Sequence, residues 1–205
     1  MSARKGDAPV PAPPVALRLA GWLPASRANG PGVRAVLWLQ GCTLGCEGCF
    51  NPEMRSPHGG ELLSVDAVFG HILALGDAIE GISLSGGEPL QQLDALLALL
   101  RRVRQETSLS VLVFTGYTWD EVQAMPDATA LLQCVDVLIA GRYVASQRVG
   151  LGMIGSANQT VHLLTERYTL DDVRSVPQAE VIITEKGELV VSGIDPLEME
   201  RGNST

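Results

Sequence analysis

The sequence predicts an α/β fold: a sheet of parallel strands, or an incomplete (βα) barrel, joined by right-handed crossovers. Three observations carry this. Apolar runs of strand length alternate with amphipathic stretches of helical period along most of the chain. Two chemically unusual segments, Cys42-x3-Cys46-x2-Cys49 and Ser85-Gly86-Gly87-Glu88, each follow an apolar run, and ligands in such folds gather at C-terminal strand ends. With 205 residues and 46% hydrophobic content, the chain can bury a sizeable core.

The elements follow in order. Residues 1–14 (MSARKGDAPVPAPP) are rich in Pro and Ala and read as a disordered tail. One folded domain is expected over residues 15–195, with 196–205 a flexible C-terminus. Residues 17–22 suit a first short strand, and 34–40 a buried strand feeding the cysteine loop. Ser64 is placed to cap a helix burying Val65, Val68, Phe69, Ile72 and Leu73, closed near Gly76. A strand at 81–85 leads into the turn Gly86-Gly87-Glu88-Pro89. Leu93, Leu96, Leu97, Leu100 and Val103 then form the stripe of a strong helix. The next strand is 110–114, and Thr118-x-x-Glu121 is a capping box opening a helix that stops before Pro126. Residues 135–140 are again a buried strand and 160–164 one more. Residues 179–184 and 188–192 form a C-terminal β-hairpin around Lys186-Gly187.

Charge and targeting signals narrow the function classes. A net charge of −8 argues against broad binding to nucleic acid or to an anionic membrane, both of which need positive patches. The apolar runs are too short to span a bilayer, and the N-terminus has no apolar signal-peptide core. Three cysteines within eight residues are too crowded for an ordinary disulfide framework, so a reducing cytoplasm is the expected location.

The cysteine spacing points to iron–sulfur chemistry, because clustered thiolates bring several ligands to one centre. A 4Fe–4S cluster takes four ligands and this loop offers three, leaving one iron open to bind something else. In the second segment, paired glycines let the backbone approach a ligand closely. Glu88 adds a charge that also suits the start of a helix, so that turn has a purely structural reading as well.

Together these residues resemble the radical S-adenosylmethionine superfamily, and within it the activating proteins of anaerobic (class III) ribonucleotide reductase. The anchors are Gly41-Cys42-Thr43-Leu44-Gly45-Cys46-Glu47-Gly48-Cys49-Phe50-Asn51 and Ser85-Gly86-Gly87-Glu88-Pro89-Leu90. Further along come Phe114-Thr115-Gly116-Tyr117-Thr118, Gly141-Arg142-Tyr143 and Gly155-Ser156-Ala157-Asn158-Gln159. The resemblance implies an incomplete barrel of radical S-adenosylmethionine type. It implies that Cys42, Cys46 and Cys49 hold a 4Fe–4S cluster whose fourth iron is chelated by the amino acid end of S-adenosylmethionine. Ser85, Gly86, Gly87 and Glu88 would receive the methionine end, Gly48 and Phe50 the adenine, and Asn158 the nucleoside or a partner. The implied activity is reductive cleavage to a 5′-deoxyadenosyl radical that installs a glycyl radical on a partner reductase, with flavodoxin or ferredoxin as electron donor. Many superfamily members carry an aromatic residue just before the third cysteine. Here that position is Gly48 and the aromatic follows as Phe50, as in the reductase-activating branch.

Plainer readings stand beside these. A structural zinc site would use His58 as fourth ligand, although such sites usually pair two close ligands with two distant ones. His58 suits an exposed loop, His71 an exposed helix face, and His162 a structural place beside a strand. Cys134 reads as a small core residue. Thr115-Gly116-Tyr117 serves either as a strand-end turn or as site lining, and Arg142 and Tyr143 are open in the same way. Two other functions remain: a radical S-adenosylmethionine enzyme acting on a small molecule or peptide, and a zinc-stabilised module without catalysis.

Overall fold

The computed structural model describes residues 15–183 and 187–194. The expected tail at 1–14, the C-terminus at 196–205 and the hairpin turn at Lys186 lie outside the described residues.

The chain opens with β1 (Ala16–Ser26) and β2 (Arg34–Leu39), and returns after the cysteine loop as the edge strand β3 (Glu61–Ser64). Ser64 caps α1 (Val65–Ala74), its hydroxyl accepting from the Ala67 N–H at 3.1 Å. Then follow β4 (Gly81–Gly86), α2 (Leu93–Glu106), β5 (Ser110–Thr115), α3 (Trp119–Gln123), α4 (Ala128–Leu132) and β6 (Val137–Ala140). The Thr118/Glu121 capping box forms at the start of α3 as the sequence predicts. Strands β7 (Arg148–Leu151) and β8 (Ile154–Ser156) make a small hairpin before β9 (Thr160–Leu163). Helix α5 (Leu170–Arg174) leads to the hairpin of β10 (Ala179–Ile183) and β11 (Leu189–Gly193).

Seven strands form one sheet in the order β3-β1-β2-β4-β5-β6-β9. The central four, β2-β4-β5-β6, are parallel. The α/β class and the C-terminal hairpin therefore stand, but the sheet is not parallel throughout. Strands β1, β3 and β9 run antiparallel to their neighbours. Parallel neighbours need a long crossover, usually a helix. A short loop joins β1 to β2, and a single 3-10 turn (Ala145–Gln147) with the β7–β8 hairpin, not a crossover helix, lies between β6 and β9, so both pairs fold back instead. Strands β1 and β9 answer to the strands expected at 17–22 and 160–164, whereas β3, β7 and β8 escaped the sequence because they are short.

Side chains alternate between the two faces of the sheet. Leu37, Leu39, Ile82, Leu84, Val111, Val113 and Leu138 pack under α1 and α2. From α2 they meet Leu96, Leu99, Leu100 and Val103, all fully buried; burying each such side chain is worth roughly 2 kcal/mol. On α1, Val65, Val68, Phe69 and Ile72 are buried, whereas Leu73, expected in the core, is 49% exposed. At 3.6 residues per turn it lies about 80° round the helix from Val65, at the edge of the stripe.

The opposite face carries Trp38, Ser85, Leu112, Phe114, Val137 and Ile139, and is partly covered by Met153, Val173, Val176 and Ile194. Arg34 lies on this face, wholly buried. Its guanidinium donates to Ser83 Oγ (2.7 Å), Ser110 Oγ (2.8 Å), the Ile82 carbonyl (2.6 Å) and the Pro31 carbonyl (3.1 Å). Burial lowers its pKa, and these four acceptors are all neutral. This network, with Ser83 Oγ donating to the Asn29 carbonyl, pins residues 28–31 across the face. No helix among the described residues is long and apolar enough to cross a membrane.

Candidate active site

The cysteine loop is a closed excursion beyond the end of β2. The Gly41 N–H donates to the Met54 carbonyl (2.8 Å) and the Cys42 N–H to the Arg55 carbonyl (3.0 Å), zipping the two ends together. The Gln40 side chain, buried beneath, donates to the Ser56 carbonyl at 2.6 Å. Gln91 grips the loop from outside, accepting from the Thr43 N–H and donating to Thr43 Oγ1. Between these ties Cys42, Cys46 and Cys49 are free thiols, each half-buried.

The Gly-Gly-Glu turn meets that loop backbone to backbone. The Gly87 N–H donates to the Leu39 carbonyl (2.7 Å) and the Glu88 N–H to the Gly41 carbonyl (2.9 Å). At Gly87 a Cβ would stand 2.4 Å from the Gly41 oxygen. Gly86, at φ +102°, would place one 2.6 Å from the Leu39 nitrogen. Only glycine permits this crossing.

Glu88 turns inward and is 1% exposed. Its Oε1 accepts from the Leu90 N–H (2.9 Å) and from Thr115 Oγ1 (2.8 Å), and its Oε2 from the Gly116 N–H (2.7 Å). Burial pushes its pKa up to about 7, against the pull of those donors. Burial also raises the Cys42 thiol.

Both segments open on one cleft of about 220 Å³. Cys42, Cys46, Cys49, Phe50, Ser85, Gly86, Gly87 and Glu88 all line it, with Asn51 and Arg55 from the cysteine loop and Thr115 and Gly116 from the end of β5. Gly48 sits just outside at φ +69°, where a Cβ would meet the Ala145 side chain at 2.9 Å. Phe50 packs against Tyr143 with ring centroids 4.3 Å apart and planes tilted by 43°. Asn158 is exposed, its amide donating to the Arg142 carbonyl at 2.8 Å, while the adjacent Gln159 faces the cleft. Gln159 Oε1 accepts from the Gly155 and Ser156 N–H groups and its Nε2 donates to the Gly141 carbonyl, binding the Gly155–Gln159 loop to the end of β6. Arg142 pairs with Glu121 at the rim, at 2.7 Å.

The donor set bears on which metal group would fit. Among the described residues no three His, Cys, Asp or Glu side chains could hold a single metal ion. The three thiols share a cleft without converging on one point, which suits a cluster taking one thiolate per iron better than one tetrahedral ion. His58 is exposed and does not line the cleft. Cys134 is buried in the core under α2, apart from the site.

Comparison with known proteins agrees with this geometry. Residues 28–162 match a family model described as a 4Fe-4S single cluster domain. The anaerobic ribonucleoside-triphosphate reductase-activating protein of Vibrio cholerae is 36% identical over 151 residues, which cover 70% of this chain and 96% of that protein. Its namesakes from Haemophilus influenzae (36% over 149 residues, 69% and 94%) and Escherichia coli (35% over 153 residues, 70% and 96%) are similar in the same way. The chain belongs to this family.

All the site segments of this 4Fe–4S family member fall inside the matched range, except Gly193 and Ile194 of the C-terminal hairpin. Several cleft residues went unrecognised in the sequence. Asn29 and Trp38 carry no chemical signature there, and Gln159 is one amide among several. The Gly155-to-Gln159 segment was visible as a motif, but which of its amides turns inward was not.

Proposed function

We propose that the chain is a radical S-adenosylmethionine activase that generates a glycyl radical on an anaerobic ribonucleoside-triphosphate reductase. The observation that carries this reading is the convergence of three half-buried thiols and the Gly86-Gly87-Glu88 turn on one cleft. Cys42, Cys46 and Cys49 would hold a 4Fe–4S cluster, with S-adenosylmethionine at the fourth iron. With one electron from a flavodoxin or ferredoxin, that pair would supply the radical chemistry, cleavage to methionine and a 5′-deoxyadenosyl radical able to take a hydrogen atom from a glycine Cα–H.

The protein's part is to bind, orient and shield. The Glu88 carboxylate, ionised by a cationic partner, would receive the methionine ammonium, while the unobstructed backbone of Gly86 and Gly87 lets it approach. Ser85 would line the same end. Phe50, with Gly48 beside it, offers an aromatic face to adenine, and Asn158 stands near that end on the outer rim. Thr115 and Gly116 keep the Glu88 carboxylate in place when no ligand is bound. The four parallel strands and their helices fit an incomplete barrel of radical S-adenosylmethionine type. One domain over 15–195 with short flanking tails, in a reducing cytoplasm, completes the reading.

Anaerobic reconstitution with iron and sulfide tests it. The expected result is a brown protein that makes 5′-deoxyadenosine from S-adenosylmethionine once reduced, and a glycyl radical doublet in the reductase by electron paramagnetic resonance. Tight stoichiometric zinc and no nucleoside product would sink it.

A further inference from the structure

The family match ends at residue 162, within β9, and about 150 residues of this chain account for 96% of the Vibrio relative. Helix α5 and the β10–β11 hairpin lie beyond that match, yet the end of the hairpin reaches the cleft. Gly193 and Ile194 line it, and Ile194 also packs in the core of Leu112, Val137 and Ile139.

The hairpin is anchored through its inward face. Its inward residues bind the body: Ser26 Oγ donates to Glu180 Oε1, the Arg27 N–H to Glu180 Oε2 (2.9 Å), and Asn29 Nδ2 to Ser192 Oγ (2.7 Å). In its antiparallel register Val181 opposes Val191 and Ile183 opposes Leu189, so these four share the outward face. Val181 is 45%, Leu189 54% and Ile183 71% exposed. A solvent-facing side of a hairpin is normally polar; this one is wholly aliphatic, and such patches mark interaction sites.

We propose that this outward face docks an extended, apolar polypeptide segment of the partner reductase and leads its glycine into the cleft; the inference rests on the function proposed above. Two observations choose that occupant. Strand β11 runs from Leu189 on the aliphatic face to Gly193 at the cleft wall, so one extended segment lying along it touches both. Among the described residues, strands β10 and β11 pair only with each other, leaving outer backbone groups that an added strand can use. Placed beyond the family match, the hairpin makes partner choice a property of this chain rather than of the shared cluster domain.

The test is the full-length double variant Ile183→Ser/Leu189→Ser, reconstituted and mixed with the anaerobic ribonucleoside-triphosphate reductase of the same genome. Neither residue touches the cleft. The expected result is unchanged 5′-deoxyadenosine formation without reductase, and a reductase concentration for half-maximal glycyl radical signal at least about tenfold higher. An unchanged concentration dependence overturns the proposal. So does loss of the cluster or of basal cleavage, which would make the hairpin part of the cofactor site. Two further measurements address other occupants. If truncation after Ile194 lowers the half-maximal concentration, the chain's own end covers the face. If wild type sediments as a dimer, the double variant as a monomer, and radical yields match, a second copy covers it. Either result overturns the proposal. A wild type that cleaves S-adenosylmethionine but never yields a glycyl radical sinks the functional reading itself, and is recognised without any variant.

Discussion

The Glu88 carboxylate accepts the backbone N–H of Gly116 at 2.7 Å, tying the turn after β4 to the end of β5 inside the cleft. Two further donors, the Leu90 N–H and Thr115 Oγ1, complete its shell. The acid is therefore ordered before any ligand arrives, at the cost of burial.

That burial has a pH signature. The folded pKa is about 7 against 4.5 for the free side chain, so between those values the folded state holds a proton that the unfolded state has lost. Stability then falls as pH rises through this window and levels off above it. Urea midpoints of the cluster-free protein should drop from pH 5 to pH 7.5 more steeply in wild type than in Glu88→Gln. Parallel curves for the two would show that Glu88 is not the titrating group.

Cys46→Ala should abolish both the visible absorbance of the cluster and the formation of 5′-deoxyadenosine. Cys134→Ala should keep both and lose only about 1 kcal/mol of stability, the usual scale for trimming a buried side chain. Loss of the cluster in Cys134→Ala would contradict its place in the core under α2.

At Gly87 the crossing of two backbones leaves no room for a methyl group. Gly87→Ala is expected to destabilise the fold by at least about 2 kcal/mol, and to weaken S-adenosylmethionine binding more than tenfold in whatever protein folds. Equilibrium dialysis of the reconstituted variant against labelled S-adenosylmethionine would measure this. Wild-type affinity would mean that the turn does not meet the ligand.

Two neighbouring amides should behave differently. Gln159→Ala strands the Gly155 and Ser156 N–H groups, both in buried residues, and should cost about 1–3 kcal/mol. Asn158→Ala removes one exposed hydrogen bond to the Arg142 carbonyl and should cost under about 1 kcal/mol. If Asn158 also contacts the nucleoside, its variant will raise the KM for S-adenosylmethionine despite that small stability change.

Much of this was legible in the chain itself. The α/β alternation, the Ser64 cap and the Thr118/Glu121 capping box depend on local periodicity and spacing, which a sequence displays directly. So do the cysteine loop and the Gly-Gly-Glu turn, because rare residue types at fixed spacing need no partner to be recognised. The antiparallel direction of β1 and β9 was not legible, nor were β3, β7 and β8, which are short and owe their strand geometry to the neighbour they pair with.

By itself the sequence determined the chemistry on offer: three thiols in one loop, two unhindered glycines and one acid. Only the tertiary structure decided how these meet. It set Glu88 against Thr115 and Gly116, buried Arg34 among neutral acceptors, turned Gln159 rather than Asn158 toward the cleft, and brought Gly193 and Ile194 to its wall. The reason is physical. Spacing along a chain records what a residue can do, but burial and the partner at the end of each hydrogen bond come from segments distant in sequence.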